Sequence, residues 1–148
     1  MTREEMIGVV ERLMRAKQAH DIDALLDIYS AECVLEQPSL GVRSVGRAAI
    51  RPGLERFAQA FPDYGRAFEG AAVDGDTLVS WGMAHMTLTG QFSGASPNGR
   101  RASVMTFVLF RFDEEGRIRY EGHYWDLASL CRQSGIAVET MWRAADPA

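Results

Sequence analysis

The apolar pattern of this chain changes period once, near Pro62, and that change most constrains what the chain can fold into. Before it, apolar residues recur at helical spacing; after it, they alternate. Thr2-x-x-Glu5 forms a capping box, and Met6, Val9, Val10, Leu13, Met14 and Lys17 then share one stripe, predicting a helix to about residue 19. Asp21 stands ready to cap a second short helix with Ile22, Leu25, Leu26 and Ile28 on its buried side. Cys33–Pro38 reads as a short strand ended by proline, and Gly46–Phe61 as a third helix broken at Pro52-Gly53. Beyond Pro62, residues 64–73, 77–90, 101–112 and 117–125 read as strands, with turns at Asp74-Gly75-Asp76, Ser96-Pro97-Asn98-Gly99 and Asp113-Glu114-Glu115-Gly116. Such short turns make consecutive strands antiparallel neighbours. Helices followed by a meander define an α+β class, with the helices covering one face of a curved sheet. The hollow between them is the default place for a ligand.

Composition narrows the function. The 148 residues suit one domain, with Trp142–Ala148 expected as a turn and a loose tail. Net charge is −4 with no basic block, which argues against a nucleic-acid partner. No apolar run approaches the roughly 20 residues that cross a bilayer. The opening Thr2-Arg3-Glu4-Glu5 lacks the apolar core of a signal peptide, so a cytoplasmic protein is expected. Cys33 and Cys131 stand far apart with no Cys-x-x-Cys, suggesting neither a disulfide framework nor a zinc site. There is no His-x-x-x-His, no glycine-rich phosphate cradle and no Gly-x-Ser-x-Gly elbow. Metal, nucleotide cofactor and serine nucleophile therefore lack support, and no cofactor is expected.

Several residues remain as candidates. On the last strand Glu121, His123 and Trp125 share one face, whereas Tyr120, Gly122, Tyr124 and Asp126 share the other. His123 is either a proton shuttle or a satisfied core histidine. His85 lies on a face with Trp81, Met83 and Thr87; that face is either a binding wall or a subunit interface. Glu36 and Gln37 are expected near the mouth of the hollow, and only one of two adjacent strand residues can point inward. Tyr29, Met105, Phe107 and Phe110 read as lining or core. His20 is explained by its place at a helix end beside Asp21.

Beyond the periodicity, the chain carries Phe61-Pro62-Asp63, then Gly90-x-Phe92-x-Gly94-x-x-Pro97-x-Gly99-Arg100, then Tyr124-Trp125-Asp126 with Gln133-x-Gly135. In these motifs it resembles the SnoaL-like polyketide cyclase (ester cyclase) branch of the nuclear transport factor 2-like superfamily. The resemblance implies a cone-shaped roll, a curved antiparallel or mixed sheet wrapped around N-terminal helices. It also implies a cofactor-independent lyase or isomerase of aldol-cyclase type, acting on a hydrophobic, keto-bearing small molecule. Asp126 would be its acid/base, aided by His123 or His85, with Tyr124 and Trp125 among the apolar walls; the other reading of Asp126 is the cap of a helix over Leu127–Cys131. A homodimer through the convex sheet face is expected, with Trp81 or Trp125, Phe107 and Phe112 as anchors. A non-catalytic ligand-binding or dimerisation module of the same fold is the alternative. One departure favours it: the family's strand histidine falls on Leu88. The opening of the chain also resembles ketosteroid isomerases, but their base, oxyanion tyrosine and second acid fall on Gln37, Leu13 and Val108. The Arg-x-Asp pair of limonene epoxide hydrolases has no counterpart between Ser103 and Phe112. Both of those activities are disfavoured.

Overall fold

A computed structural model describes residues 1–92 and 94–143, the last two by backbone alone. The expected tail beyond Arg143 lies outside the described residues. In chain order the elements are α1 (Arg3–Ala19), α2 (Ile22–Ile28), β1 (Tyr29–Gln37), β2 (Val42–Val45), α3 (Arg47–Ala60), β3 (Gly65–Arg66), β4 (Gly70–Asp74), β5 (Thr77–Thr87), β6 (Arg101–Phe112), β7 (Ile118–Trp125), α4 (Leu127–Ser134) and α5 (Val138–Arg143). None of the described helices is long and apolar enough to cross a membrane.

The N-terminal helices form as their sequence dictates. Thr2 accepts from the Glu5 amide and Glu5 returns the bond to the Thr2 amide, closing the capping box. Met6, Val9, Val10, Leu13 and Ala16 are buried along α1. Asp21 accepts from the Ala24 amide and starts α2. Seven residues are too few for a helix to persist alone. Burial of Leu25 and Leu26 against α1 holds it, at roughly 1.5–3 kcal/mol for each such side chain.

Several boundaries differ from the sequence expectation, among them the strand read over 77–90, which ends at Thr87. α3 runs unbroken through Pro52. The bond that proline forfeits is to the carbonyl four residues back, in the helix's first turn, and the ring itself is exposed, so one lost bond suffices. β1 begins at Tyr29 rather than Cys33, and a hairpin partner, β2, follows it after a 3₁₀ turn at Pro38–Leu40. The strand read over 64–73 splits into β3 and β4 because residues 67–69 face only 82–83 on β5, a β-bulge. Here the Ala67 carbonyl crosses so close to Gly82 that a Cβ there would lie 1.9 Å from its oxygen.

The sheet has seven strands in the order β2-β1-β7-β6-β5-β3, with β4 also on β5; β1 and β7 run parallel and the other pairs antiparallel. The architecture is mixed α+β, as expected. One core cluster packs α1 and α2 on Leu78, Val108, Phe110 and Phe112. A second gathers Phe61, Tyr64, Met86, Leu88, Val104, Leu130 and Met141 at the other end.

The signature motifs turn out to be joints of this frame. β6 outruns β7, and its uncovered end at Ser103 is finished by a side chain. The Gln133 amide accepts from the Ser103 N–H at 2.7 Å and donates to the Ser103 carbonyl at 2.9 Å. Gly135 ends α4 at φ 71°, and a Cβ there would meet the Arg100 guanidinium at 2.3 Å. Arg100, Gln133 and Gly135 thus belong to one clasp between α4 and the sheet.

Candidate functional site

Between the helices and the inner face of the sheet lies a cavity of about 670 Å³. Its walls come from α2 (Leu25), α3 (Leu54, Phe57), β1 (Leu35, Gln37), Tyr64, Phe92 and β7 (His123, Trp125), with Lys17 arriving from α1. The aromatics form a continuous wall: Phe57 meets Tyr64 at 5.1 Å and Phe92 at 6.2 Å between ring centroids, and Tyr64 meets Trp125 at 6.5 Å.

A buried polar set interrupts this apolar surface. Glu121, fully shut from water, is bonded by the Lys17 ammonium and by the Tyr29 hydroxyl. Its Oε1 also lies 2.5 Å from His123 Nε2, while Lys17 Nζ is 3.2 Å from that same nitrogen. A carboxylate only accepts, so the closer contact places the ring proton on Nε2 and leaves a lone pair on Nδ1. Nδ1 has no partner, and neither does the indole N–H of Trp125, whose ring stacks on His123 at 5.4 Å. Each unmet group costs about 1–3 kcal/mol.

Electrostatics fix the resting charges. Burial alone would raise the Glu121 pKa, but Lys17 and His123 outweigh it and hold the carboxyl well below its usual range. Burial, then the Lys17 charge, push His123 down against the opposing pull of Glu121, so its imidazole is neutral at neutral pH. Burial and the Glu121 charge keep the Tyr29 phenol protonated. Behind this set, Arg66 is buried and, among the described residues, donates to neutral partners, Thr106 Oγ1 at 2.8 Å and Ser80 Oγ at 3.1 Å, with Met14 Sδ at 3.6 Å.

The expected site residues divide sharply. His123, Trp125 and Gln37 line the cavity, and Tyr29 supports it from behind through Glu121. Asp126 does not line it. Its carboxylate accepts from the Ser129 amide at 3.0 Å as the N-cap of α4, is exposed, and is held below its ordinary pKa by hydrogen bonds from Ser129. The strand continues straight to Trp125, so parity sends Asp126 away from His123. Glu36 faces outward as well, taking hydrogen bonds from Tyr120 and Arg43. On β5 the buried residues are Leu78, Ser80, Gly82, Ala84 and Met86, so Trp81 and His85 belong to the outer face and lie outside the cavity. Met105, Phe107 and Tyr124 are outer-face residues too. Phe112 is core rather than an interface anchor, and Trp125 is cavity wall.

Sequence reading missed Glu121, Lys17, Tyr64 and Arg66. A signal existed for two of them: Lys17 sits on an otherwise apolar stripe, and Glu121 shares the face of His123. Of the isomerase-like positions, Gln37 is in the wall, whereas Leu13 and Val108 are buried beneath it. Leu88 fills the second core, which explains why no histidine is needed there for packing.

A curved sheet closed by N-terminal helices over a side cavity is the ketosteroid isomerase-like, nuclear transport factor 2-like architecture. A protein of that fold from Catenulispora acidiphila superposes with a TM-score of 0.75 at 19% identity, over 88% of this chain and 95% of its own. A protein assigned as a polyketide cyclase from Xanthomonas campestris reaches 0.80 at 20% identity, over 89% and 98%. AclR, assigned as a hydroxylase from Streptomyces galilaeus, reaches 0.77 at 19% identity, over 92% and 99%. None of the curated proteins matches the chain. The family model for SnoaL-like polyketide cyclase matches residues 8–134, and the chain belongs to that family.

Proposed function

We propose that this protein is a lyase or isomerase of the cyclase type that moves protons on a hydrophobic, keto-bearing small molecule, using His123 rather than Asp126. The observation that carries this reading is the neutral, Glu121-anchored imidazole in the wall of an apolar cavity, with its Nδ1 lone pair unmet. Nδ1 is shut in at rest beneath Trp125, so catalysis requires the stacked ring to turn until that nitrogen meets the cavity. It then takes a proton from a carbon flanked by carbonyls, and the imidazolium that forms is stabilised by Glu121. The same proton returns to the new alkoxide after the carbon–carbon bond closes. Lys17 supplies a positive end for the enolate oxygen. Phe57, Tyr64 and Phe92 hold the apolar body in a folded shape, which raises the rate through proximity.

The test is His123→Gln, assayed against β-keto acid and β-keto ester substrates alongside Asp126→Asn. A loss of about 10²-fold or more in kcat for the first, with the second unchanged, supports the assignment. Full turnover in His123→Gln, or its loss in Asp126→Asn, overturns it.

A second reading, a non-catalytic binding module, is favoured by Leu88 and by the apolar Leu13 and Val108, where catalytic groups stand in relatives. In that case His123→Gln alters affinity and no turnover is found. In either reading we place the protein in the cytoplasm as a homodimer. The outer sheet face supports the dimer: cross-strand neighbours Trp81, Phe107 and Tyr124 form an apolar row, with Phe107 49% and Tyr124 46% exposed.

A further inference from the structure

Charge around the cavity is one-sided. Lys17 and Arg56 line it, and among the described lining residues there is no carboxylate. Glu121, the nearest acid, is fully buried, with its oxygens taken by Tyr29, His123 and Lys17. Its single buried charge faces two cations, Lys17 and the buried Arg66; the hydrogen-bond partners of Arg66 are hydroxyls and a thioether, and the other carboxylate that acts on it, Glu69, is exposed. Arg56 on α3 has no ion pair among the described residues. An apolar hollow with a surplus of buried positive charge is a poor home for a cation and an indifferent one for an ester. It favours an anion, because desolvating a carboxylate is offset only where fixed positive charge awaits it.

We infer that the ligand is an amphiphilic organic acid, its apolar body against Phe57, Tyr64 and Phe92 and its carboxylate at Lys17. This rests on the cavity being the ligand site, as proposed above, but not on His123 being its catalytic group. Lys17 is suited to the contact. Only one of its three N–H groups is needed by Glu121, and His123 Nε2, itself a donor, accepts none. Arg56 draws the acid toward the mouth from solvent.

Three probes that share one ring system separate the possibilities: 1-naphthaleneacetate, its methyl ester and 1-naphthylmethylammonium, titrated calorimetrically at pH 7. The acid should bind about tenfold or more tighter than the ester, the ammonium should not bind, and added salt should weaken only the acid. Lys17→Met alone strands the Glu121 charge and can unfold the chain. The double variant Lys17→Met/Glu121→Gln therefore carries the test, and it should abolish the preference for acid over ester. Arg56→Gln, on the exposed side, should weaken the acid a few-fold and leave the ester unchanged. Equal or tighter binding of the ester by the parent protein overturns the inference while leaving the cavity as the site. Failure of acid and ester alike overturns both.

Discussion

Glu121→Gln is the sharpest probe of the buried set, because it removes one charge and almost no volume. In the parent, Glu121 is 0% exposed and the Lys17 side chain 14%. Glutamine keeps one oxygen for the Tyr29 hydroxyl but turns an NH₂ toward Lys17 or His123, both donors at that point. Lys17 is then a nearly buried cation facing another donor. Breaking such a pair from one side costs about 3–5 kcal/mol. For a domain of this size the midpoint of thermal unfolding should fall by roughly 10 °C. The double variant Lys17→Met/Glu121→Gln should recover most of that, since replacing both partners removes the stranded charge. The pH dependence gives an independent check. The folded-state pKa of Glu121 is depressed, so its contribution is present above the ordinary value of 4.5 and is lost as pH falls through and below it. Glu121→Gln should flatten that acid limb. The depressed imidazole of His123 adds a loss that begins as pH drops below its ordinary 6.5, and this part should persist in the variant. Thermal melts by circular dichroism from pH 3 to 8 measure both effects. A midpoint within about 2 °C of the parent at pH 7, with an unchanged acid limb, would refute the reasoning.

Three further outcomes are expected. Asp126→Ala should lower the melting midpoint measurably by removing the α4 cap, while Asp126→Asn, which still caps, should not; neither should change binding of the naphthalene probes. Gly82→Ala should destabilise by about 3 kcal/mol or more in urea melts, because the new Cβ meets the backbone oxygen of Ala67 and backbone cannot yield as a side chain can. Phe107→Asp, on the outer face, should convert a dimer to monomer in sedimentation at micromolar concentration; a parent that sediments only as monomer would remove the homodimer proposal.

The architecture was legible because period and punctuation were clear: the helical stripe of α1, the capping Asp21, and the turns after β4 and β6 appear where the sequence placed them, whereas the turn expected at Ser96–Gly99 is part of a longer irregular connection between β5 and β6. β2 was hidden because Val42–Val45 is too short to show alternation, and the β3–β4 bulge because it depends on the distant Gly82. The site was legible only in part. Parity correctly grouped Glu121, His123 and Trp125, yet the resemblance drew attention to Asp126, which lies one residue too far to face inward. Arg66 gave no local signal at all. Its burial follows from pairing with β5, a fact of tertiary structure.

The clasp of Gln133 on Ser103 has a consequence for the protein's behaviour in a crowded solution. A longer strand beside a shorter one leaves an open rung, and open rungs recruit other polypeptides. Here a carboxamide fills the rung at Ser103 from within the chain, so that rung offers a stranger nothing to bond with until α4 lifts away.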